Sequence, residues 1–533
     1  MVKVKREAIS YDDAGMLAKL TRAYLRGDEN ISHLYDFEST IENVIHVIEN
    51  KQKLSEPNRP VLTDALERQY TDFETSKIVT KNIQSLQNKN TYTITTGHQL
   101  NLFTGPLYFI YKIISVIKGA QVLSEKYPSY HFVPVYWMAT EDHDFEEINH
   151  TYVNGERLEW QSDQTGMVGE FSTEGLGEVV SQLEQVLGND LQNQELIQLV
   201  RKAYVEHSNL AAATRYFVNT LFEKDGLVIL DGNDAKLKSL FSPIVKQELL
   251  EQKTVVLVNE TVDSFPPIYA AQVTPREINL FYVVSGLRER IIYEDGKYKV
   301  NDTEIEFTEP EILQELKNYP ERFSPNALMR PLYQELILPN VVYVGGGAEV
   351  AYWLELKSTF EFYGVSFPLL QIRDAFLVLE KKSAKKVLDC CLTIPQLFLP
   401  ENEQIKILLK NDNPFQEKLT QHNSEVHQKI KGLLSELEEF DPELIKSLKS
   451  TKQGFLRELK KLDRKIMKSV KRKQGVKLDR LHSIRESIYP SGVFQERRVN
   501  YLEMASAYGD GFLRVIHENV SPFDDRMFIL TVK

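Results

Sequence analysis

The sequence predicts an α/β fold in which a parallel sheet carries helices on both faces and a long helical arm follows. Three observations lead there. Short apolar runs rich in β-branched and aromatic residues recur along the chain, and each stops abruptly at glycine or polar residues, as buried parallel strands do. Helix-like segments lie between these runs, the alternation that a doubly wound sheet requires. From about Glu380 to Ile488 glycine becomes scarce, charge becomes dense, and apolar residues recur at coiled-coil spacing.

The first 90 residues are rich in charged and amide side chains at helical spacing. Thr91, Tyr92, Thr93, Ile94, Thr95 and Thr96 then form the first core strand, ended by Gly97. After a polar turn, Pro106 suits the first turn of a helix over residues 107–123. The apolar run 131–139 halts at Glu141-Asp142-His143-Asp144. Further buried strands are predicted at 226–230, before Asp231-Gly232, at 341–344, before Gly345-Gly346-Gly347, and at 367–372, before Arg373-Asp374. Residues 279–302 break this rhythm. Alternating runs at 280–284 and 291–293, and an Asp295-Gly296 turn before 297–300, read as an antiparallel insertion. In the arm, Val426, Ile430, Leu433 and Leu437 follow a 4, 3, 4 spacing. After the Asp441-Pro442 break, Leu444, Leu448, Phe455, Leu459, Leu462 and Ile466 continue it, which predicts two long helices in an antiparallel coiled coil. Their apolar stripes need a partner, either each other or a second subunit. Residues 489–500 return to loop chemistry and 527–532 suit a final strand.

A length of 533 residues suggests two to four domains. With 42% hydrophobic and 26% charged residues the composition is that of a folded globular protein. A net charge of −12 argues against nucleic acid as the main partner. Cys390 and Cys391 are the only cysteines, and as neighbours they cannot close a useful loop. There is no signal-like apolar core near residue 1 and no run of about 18 apolar residues. The expectation is a cytoplasmic protein with reduced thiols and no membrane partner.

Four clusters carry candidate chemistry. The first, Gly97-His98-Gln99-Leu100-Asn101-Leu102-Phe103-Thr104-Gly105-Pro106-Leu107-Tyr108, joins the first strand to its helix. Gly97 and Gly105 permit close backbone approach. The helix N-terminus offers N–H groups to an anion, and His98, Gln99, Asn101 and Thr104 add polar side chains. The alternative is an ordinary strand-to-helix connection, since the segment is neither a Walker loop nor a GxGxxG fingerprint. The second cluster is Glu141, Asp142, His143 and Asp144, followed by Glu146, Glu147, Asn149 and His150. It sits where open α/β sheets bind ligands, and its members can orient an amine, move a proton or hold Mg²⁺ around ATP. No metal site is assigned, and a solvated acidic loop is the plainer reading. In the third cluster, Arg330 joins Gly345, Gly346 and Gly347, whose N–H groups suit an anion, with Glu349 available for a substrate amine or hydroxyl. Tyr352 and Trp353 follow as pocket floor or as core. The fourth is Tyr489-Pro490-Ser491-Gly492-Val493-Phe494-Gln495-Glu496-Arg497-Arg498, whose arginines suit a phosphate or a surface ion pair. Lys465-Ile466-Met467-Lys468-Ser469 resembles the lysine loop of class I aminoacyl-tRNA synthetases, but Ile466 belongs to the coiled-coil stripe, so a solvated helix face is expected there.

These clusters, in this order, resemble the bacillithiol biosynthesis cysteine-adding enzymes, the BshC family, over nearly the whole chain. The most specific parts are Gly97-His98-Gln99 with Phe103-Thr104-Gly105-Pro106-Leu107-Tyr108, the run Val133-Pro134-Val135-Tyr136-Trp137 leading into Glu141-Asp142-His143-Asp144-Phe145, and Gln495-Glu496-Arg497. The chain departs from the commonest family pattern at His98, usually glutamine, and at Asn101, usually glycine. The resemblance implies a Rossmann-like core related to class I synthetases, inserted connecting elements, and a coiled coil that makes a homodimer. On this layout residues 1–250 and 323–379 form the core, 251–322 the connecting insertion, 380–488 the coiled coil, and 489–533 a return to the core. The implied activity is attachment of cysteine to glucosaminyl malate, the last step of bacillithiol synthesis.

Joining a carboxylate to an amine in water requires activation, so ATP is expected to convert the cysteine carboxylate to an acyl adenylate or acyl phosphate, and the synthetase resemblance favours the adenylate. In this scheme residues 97–104 and the following helix bind phosphates, while His143 or Asp144 accepts the proton of the attacking amine. Tyr108, Gln495, Glu496 and Arg497 join the substrate-binding set, and Mg²⁺ is a further candidate beside ATP. Two other classes share these features: a nucleotidyltransferase or ligase for another small amino compound, and a non-catalytic coiled-coil scaffold.

Overall fold

The computed structural model describes residues 4–51, 58–412, 415–441 and 444–532. The chain forms two compact units, one of Met1–Leu377 with Val493–Leu530, the other of Val378–Gly492 with Thr531–Lys533.

The first unit is built on five strands: β1 (Thr91–His98), β2 (His131–Met138), β3 (Val228–Asp231), β4 (Asn340–Gly345) and β5 (Leu369–Ile372). Their order in the sheet is β5-β4-β1-β2-β3, and every neighbouring pair is parallel. This is the order of a Rossmann-type sheet. The chain starts at the centre, works outward to β3, then crosses back to β4 on the other side of β1. Every residue of β1 is buried, including its threonines. They are tolerated because their hydroxyls are used: Thr93 and Thr95 donate to Asn340 Oδ1 at 3.2 and 2.8 Å, and Thr96 donates to the Val344 carbonyl at 2.7 Å.

The apolar runs predicted as buried strands are all strands, with no end shifted by more than two residues. Helix α1 (Tyr108–Lys126) follows β1, but Pro106 lies ahead of it rather than in its first turn. Pro106 instead bridges Asn500, and the Leu107 N–H donates to the Val499 carbonyl at 2.8 Å. The antiparallel insertion is present as a five-stranded sheet, ordered Glu306–Phe307, Lys297–Val300, Leu287–Glu294, Leu280–Val284, Phe323–Pro325. Its two outer strands have two and three residues, too few for a periodic signal. Among the charged residues near the start of the chain, Val4–Ser10 is a strand that the helical spacing did not foresee, while the predicted final strand is Arg526–Val532.

In the second unit, helices Gln416–Phe440 and Leu444–Lys473 are separated by three residues, so the second doubles back along the first and brings Lys452 Nζ to 3.2 Å from His427 Nε2. Pro442 and the side chain of Leu437 lie outside the described residues. Leu433, Leu444, Phe455 and Leu462 of the predicted stripe are exposed. Residues 465–469 are inside the second helix, as the stripe required. Cys390 and Cys391 are both free thiols. No helix among the described residues is long and apolar enough to cross a membrane.

A fully buried ion pair secures the entry to β4. Lys51 Nζ donates to the Glu335 carboxylate and to its main-chain carbonyl, each at 2.9 Å, and Asn340 Nδ2 donates to the same carboxylate at 2.7 Å. The two side chains are 2% and 0% exposed, so removing one charge strands the other in the interior. Lys51→Met should therefore lower unfolding stability by about 3 kcal/mol, read as a lower urea midpoint with an unchanged slope.

Candidate functional site

At the point where the strand order reverses, connections from β1 and β4 leave the sheet in opposite directions and a crevice opens at the carboxyl ends of both strands. A cavity of about 650 Å³ occupies it. Gly97 and His98 of β1, Trp137 and Met138 of β2 and the residues up to His143 line one side. Tyr108 and Lys112 come from α1, Arg330 from α2 (Arg330–Ile337), Tyr343 from β4, and Glu349 and Tyr352 from α3 (Gly347–Leu354). Phe281 and Arg288 reach in from the antiparallel sheet.

Lys112 is buried at the cavity wall. Its ammonium donates to the Gly97 carbonyl at 2.8 Å and pairs with Glu349 Oε1 at 2.5 Å. Glu349 also accepts from Tyr343 Oη at 2.8 Å and from the Gly346 N–H at 3.3 Å. Burial alone would raise the Glu349 pKa, but Lys112 and these donors outweigh it and hold the carboxyl below its ordinary value. Arg330 donates to Gln334 Oε1 at 2.9 Å and to Tyr352 Oη at 3.0 Å. No carboxylate among the described residues pairs with it.

The opposite wall is acidic. Gln99 Nε2 donates to Asp142 Oδ2 at 2.7 Å and to Glu147 Oε2 at 2.9 Å, tying the loop after β1 to the loop after β2. Asp142 Oδ1 accepts from the His143 N–H at 2.7 Å. Glu141 turns away to pair with the buried Lys238, which also donates to the Phe323 carbonyl at 2.9 Å. Burial and the neighbouring Arg288 hold the His143 imidazole below its ordinary pKa. Burial, then the charge of Glu349, pushes the Tyr108 hydroxyl up to about 12.

Of the residues singled out in the sequence, Gly97, His98, Gln99, Tyr108, Glu141, Asp142, His143, Arg330 and Glu349 come together around this cavity. His98 does so with its ring buried against Tyr108 and Phe109, and that burial holds its pKa well below the ordinary value. Others do not come to the cavity. Asn101, Thr104 and Gly105 are buried outside the cavity, and their loop is folded inward rather than cupped for a phosphate. Asp144 caps the helical turn Phe145–Ile148 by accepting from the Glu147 N–H at 3.2 Å, and it is exposed away from the lining. The three glycines have separate structural surroundings. Gly345 extends β4, the Gly346 N–H is taken by Glu349, and a Cβ at Gly347 would lie 2.6 Å from Leu17 Cδ2, so glycine there admits Leu17. Trp353 is core, stacked on Tyr343 at 4.1 Å. Gln495 and Glu496 are buried outside the lining, and Arg497 is exposed. Glu496 accepts two hydrogen bonds from Arg373, at 2.6 and 2.9 Å, a structural pair.

Sequence reasoning missed Lys112, Lys238, Arg288 and Phe281. Lys112 left one signal, a lysine inside an otherwise apolar helical run and one turn beyond Tyr108. Arg288 left none, because a charged residue next to a Gly286 turn reads as solvent-facing. No group of three or more His, Cys, Asp or Glu among the described residues is placed to hold a metal ion.

Family models match the chain in two consecutive pieces. The "Bacillithiol biosynthesis BshC, N-terminal Rossmann-like domain" matches residues 4–374, and the "C-terminal coiled-coil domain" of the same family matches 376–532. Curated relatives share its length. A protein of Flavobacterium psychrophilum named "Putative cysteine ligase BshC" is 41% identical over 518 residues, 97% of each chain. One of the same name from Flavobacterium johnsoniae is 40% identical over 527 residues, 99% of each chain. Among solved structures, a chain of Campylobacter jejuni described as a "putative arginyl t-RNA synthetase" covers 83% of this chain and 97% of its own at 11% identity and a TM-score of 0.22, too low to carry an argument.

The two loop glycines are predicted to behave differently. A Cβ at Gly97 would meet Arg330 and Tyr343 only at 3.5 and 3.7 Å, whereas at Gly105, with φ of +67°, it would lie 2.7 Å from Asn101 Cβ. Gly105→Ala should cost roughly 1–3 kcal/mol, and Gly97→Ala less than about 1 kcal/mol, compared by urea unfolding.

Proposed function

The chain belongs to the bacillithiol biosynthesis BshC family, and from that premise we propose that it is a ligase that joins cysteine to glucosaminyl malate at the expense of ATP. The observation that carries this reading is the divided charge of the cavity. Arg288 and Arg330 face it without carboxylate partners among the described residues, while Asp142 and Glu147 face it from the acidic wall. Cysteine is itself divided in this way, with an ammonium and a carboxylate, and the acceptor brings a dicarboxylic end and an amine. A cavity of about 650 Å³ suits ligands of this size.

ATP, when bound, supplies the leaving group that makes the cysteine carboxyl reactive. Arg330 is the group that would hold its phosphates and the tyrosines 108, 343 and 352 those that would flank its base, which supports nucleotide use without the cradle expected of residues 101–105. Among the described residues no three metal-ligating side chains converge, and no step is assigned to a metal. Gln99 holds Asp142 and Glu147 as a fixed acidic pair, and Asp142 is the carboxylate placed to take the proton of the attacking amine. Asp144 has no part in this, being committed to its cap.

Incubation of the purified full chain with ATP, cysteine and glucosaminyl malate should yield a product whose mass is the sum of the last two less one water, and omission of any one should abolish it. Efficient product formation with another amino acid and none with cysteine would overturn the reading. Asp142→Asn should lower the rate about 10²-fold or more, with Asp144→Asn changing it by much less.

A further inference from the structure

We propose that Arg288 fixes His143 as the neutral tautomer with its proton on Nε2, so that His143 meets the substrate as a hydrogen-bond donor and not as a base. A guanidinium has only donors. Arg288 Nη1 stands 2.5 Å from His143 Nδ1, so Nδ1 must be the accepting nitrogen and the single proton of a neutral ring must sit on Nε2. The guanidinium is not free to move aside. Its Nε donates to Ser324 Oγ at 3.2 Å, it lies over the Phe281 ring at 3.9 Å, and the residue is 8% exposed. Phe281 also flanks the imidazole, with ring centroids 5.2 Å apart.

The competing arrangement would have Asp142 accept from Nδ1, the pairing that turns a histidine into a general base. Asp142 Oδ1 is 4.0 Å from Nδ1, beyond hydrogen-bond reach, and is occupied by the His143 and Asp144 main-chain N–H groups. The orienting partner is therefore a cation, which opposes a second proton on the ring, as burial also does. Nε2 has no partner among the described residues, and His143 lines the cavity. An N–H beside a buried guanidinium without a carboxylate partner is a seat for a negatively charged oxygen. In the ligase reading, on which only the identity of that oxygen rests, it belongs to the carboxyl group under attack. Arg288 is then a positioning residue, and like Phe281 it comes from the antiparallel insertion.

The test is nitrogen NMR of the ¹⁵N-histidine-labelled full chain near pH 7.5, with the His143 signals identified by their loss in His143→Gln. The expected result is an unprotonated accepting Nδ1 and a protonated Nε2. Arg288→Met, or Arg288→Lys should the first variant fail to fold, should give a mixture of the two tautomers. A parent spectrum with Nδ1 protonated overturns the inference, whether or not the chain turns over cysteine, and absence of product in the parent reaction counts only against the ligase reading. In the ligation assay His143→Ala should lose about 10²-fold in kcat/KM, whereas His143→Gln, which keeps a donor but cannot be a base, should lose only about tenfold. A glutamine variant no better than alanine would also overturn the donor role.

Discussion

A buried ammonium group holds the two halves of the sheet together at the place where they would part. The strand order forces β1 and β4 to sit side by side while the segments that follow them diverge, so the crevice that makes a ligand site is also a line of weakness. Lys112 spans it. From α1 it reaches the Gly97 carbonyl at the end of β1 and the Glu349 carboxylate on α3. An ammonium in that position is costly unless it is paired and hydrogen-bonded, and Glu349 supplies the charge. The tyrosine on β4 and the Gly346 N–H complete the carboxylate's bonds, so β1, α1, β4 and α3 are coupled through one charged contact. Arg330 is left on this wall without a directly paired carboxylate among the described residues.

The opposite wall repeats the principle with different parts. Glu141 spends its charge on Lys238, which neutralises one carboxylate at the cavity wall and tethers the loop after β2 to the antiparallel sheet through the Phe323 carbonyl. Asp142 and Glu147 keep theirs, because their partner Gln99 is neutral. Four acidic or basic residues in succession at a strand end thus separate into a structural pair, a cavity carboxylate, an imidazole and a helix cap. Their proximity in sequence says little about shared chemistry. Extended backbone turns alternate side chains to opposite sides, and the Asx turn of Asp142 redirects the rest.

The core strands were legible because a parallel strand buried on both faces has to be a continuous apolar or threonine-rich run, and each such run ended where a connection had to leave the sheet. The cavity residues at strand ends were legible for the same reason. Two misreadings had their correction in the sequence. Asp144 followed three residues later by Glu147, and Gly346 by Glu349, are spacings of helix N-termini, where an acidic side chain bonds the main chain rather than a ligand. Arg288 was illegible in kind. Its burial depends on Ser324 and Phe281, partners brought beside it by the pairing of Phe323–Pro325 and Leu287–Glu294 on either side of Leu280–Val284, and no local pattern carries such a register. The predicted stripe of the long helices was legible as a pattern, yet its exposed leucines show that spacing alone does not say what covers them.

The loop after β1 and the segment near residue 500 are parts of one device. Phe103 and Thr104 adopt φ of 52° and 69°, a left-handed conformation that costs residues with side chains roughly 1–2 kcal/mol each. Something has to hold them there. Asn500, wholly buried, donates from Nδ2 to the Phe103 and Gly105 carbonyls at 3.1 and 2.7 Å, while Pro106 and Leu107 bridge the backbone of Val499 and Asn500. Glu496, four residues earlier, is fixed by Arg373 at the end of β5. Val499 and Asn500, just beyond Gln495-Glu496-Arg497, thus clamp the loop in its inward fold, ahead of α1 with Tyr108 at its start and Lys112, one turn later, donating to the Gly97 carbonyl. Segments nearly 400 residues apart in sequence are in this way parts of one brace.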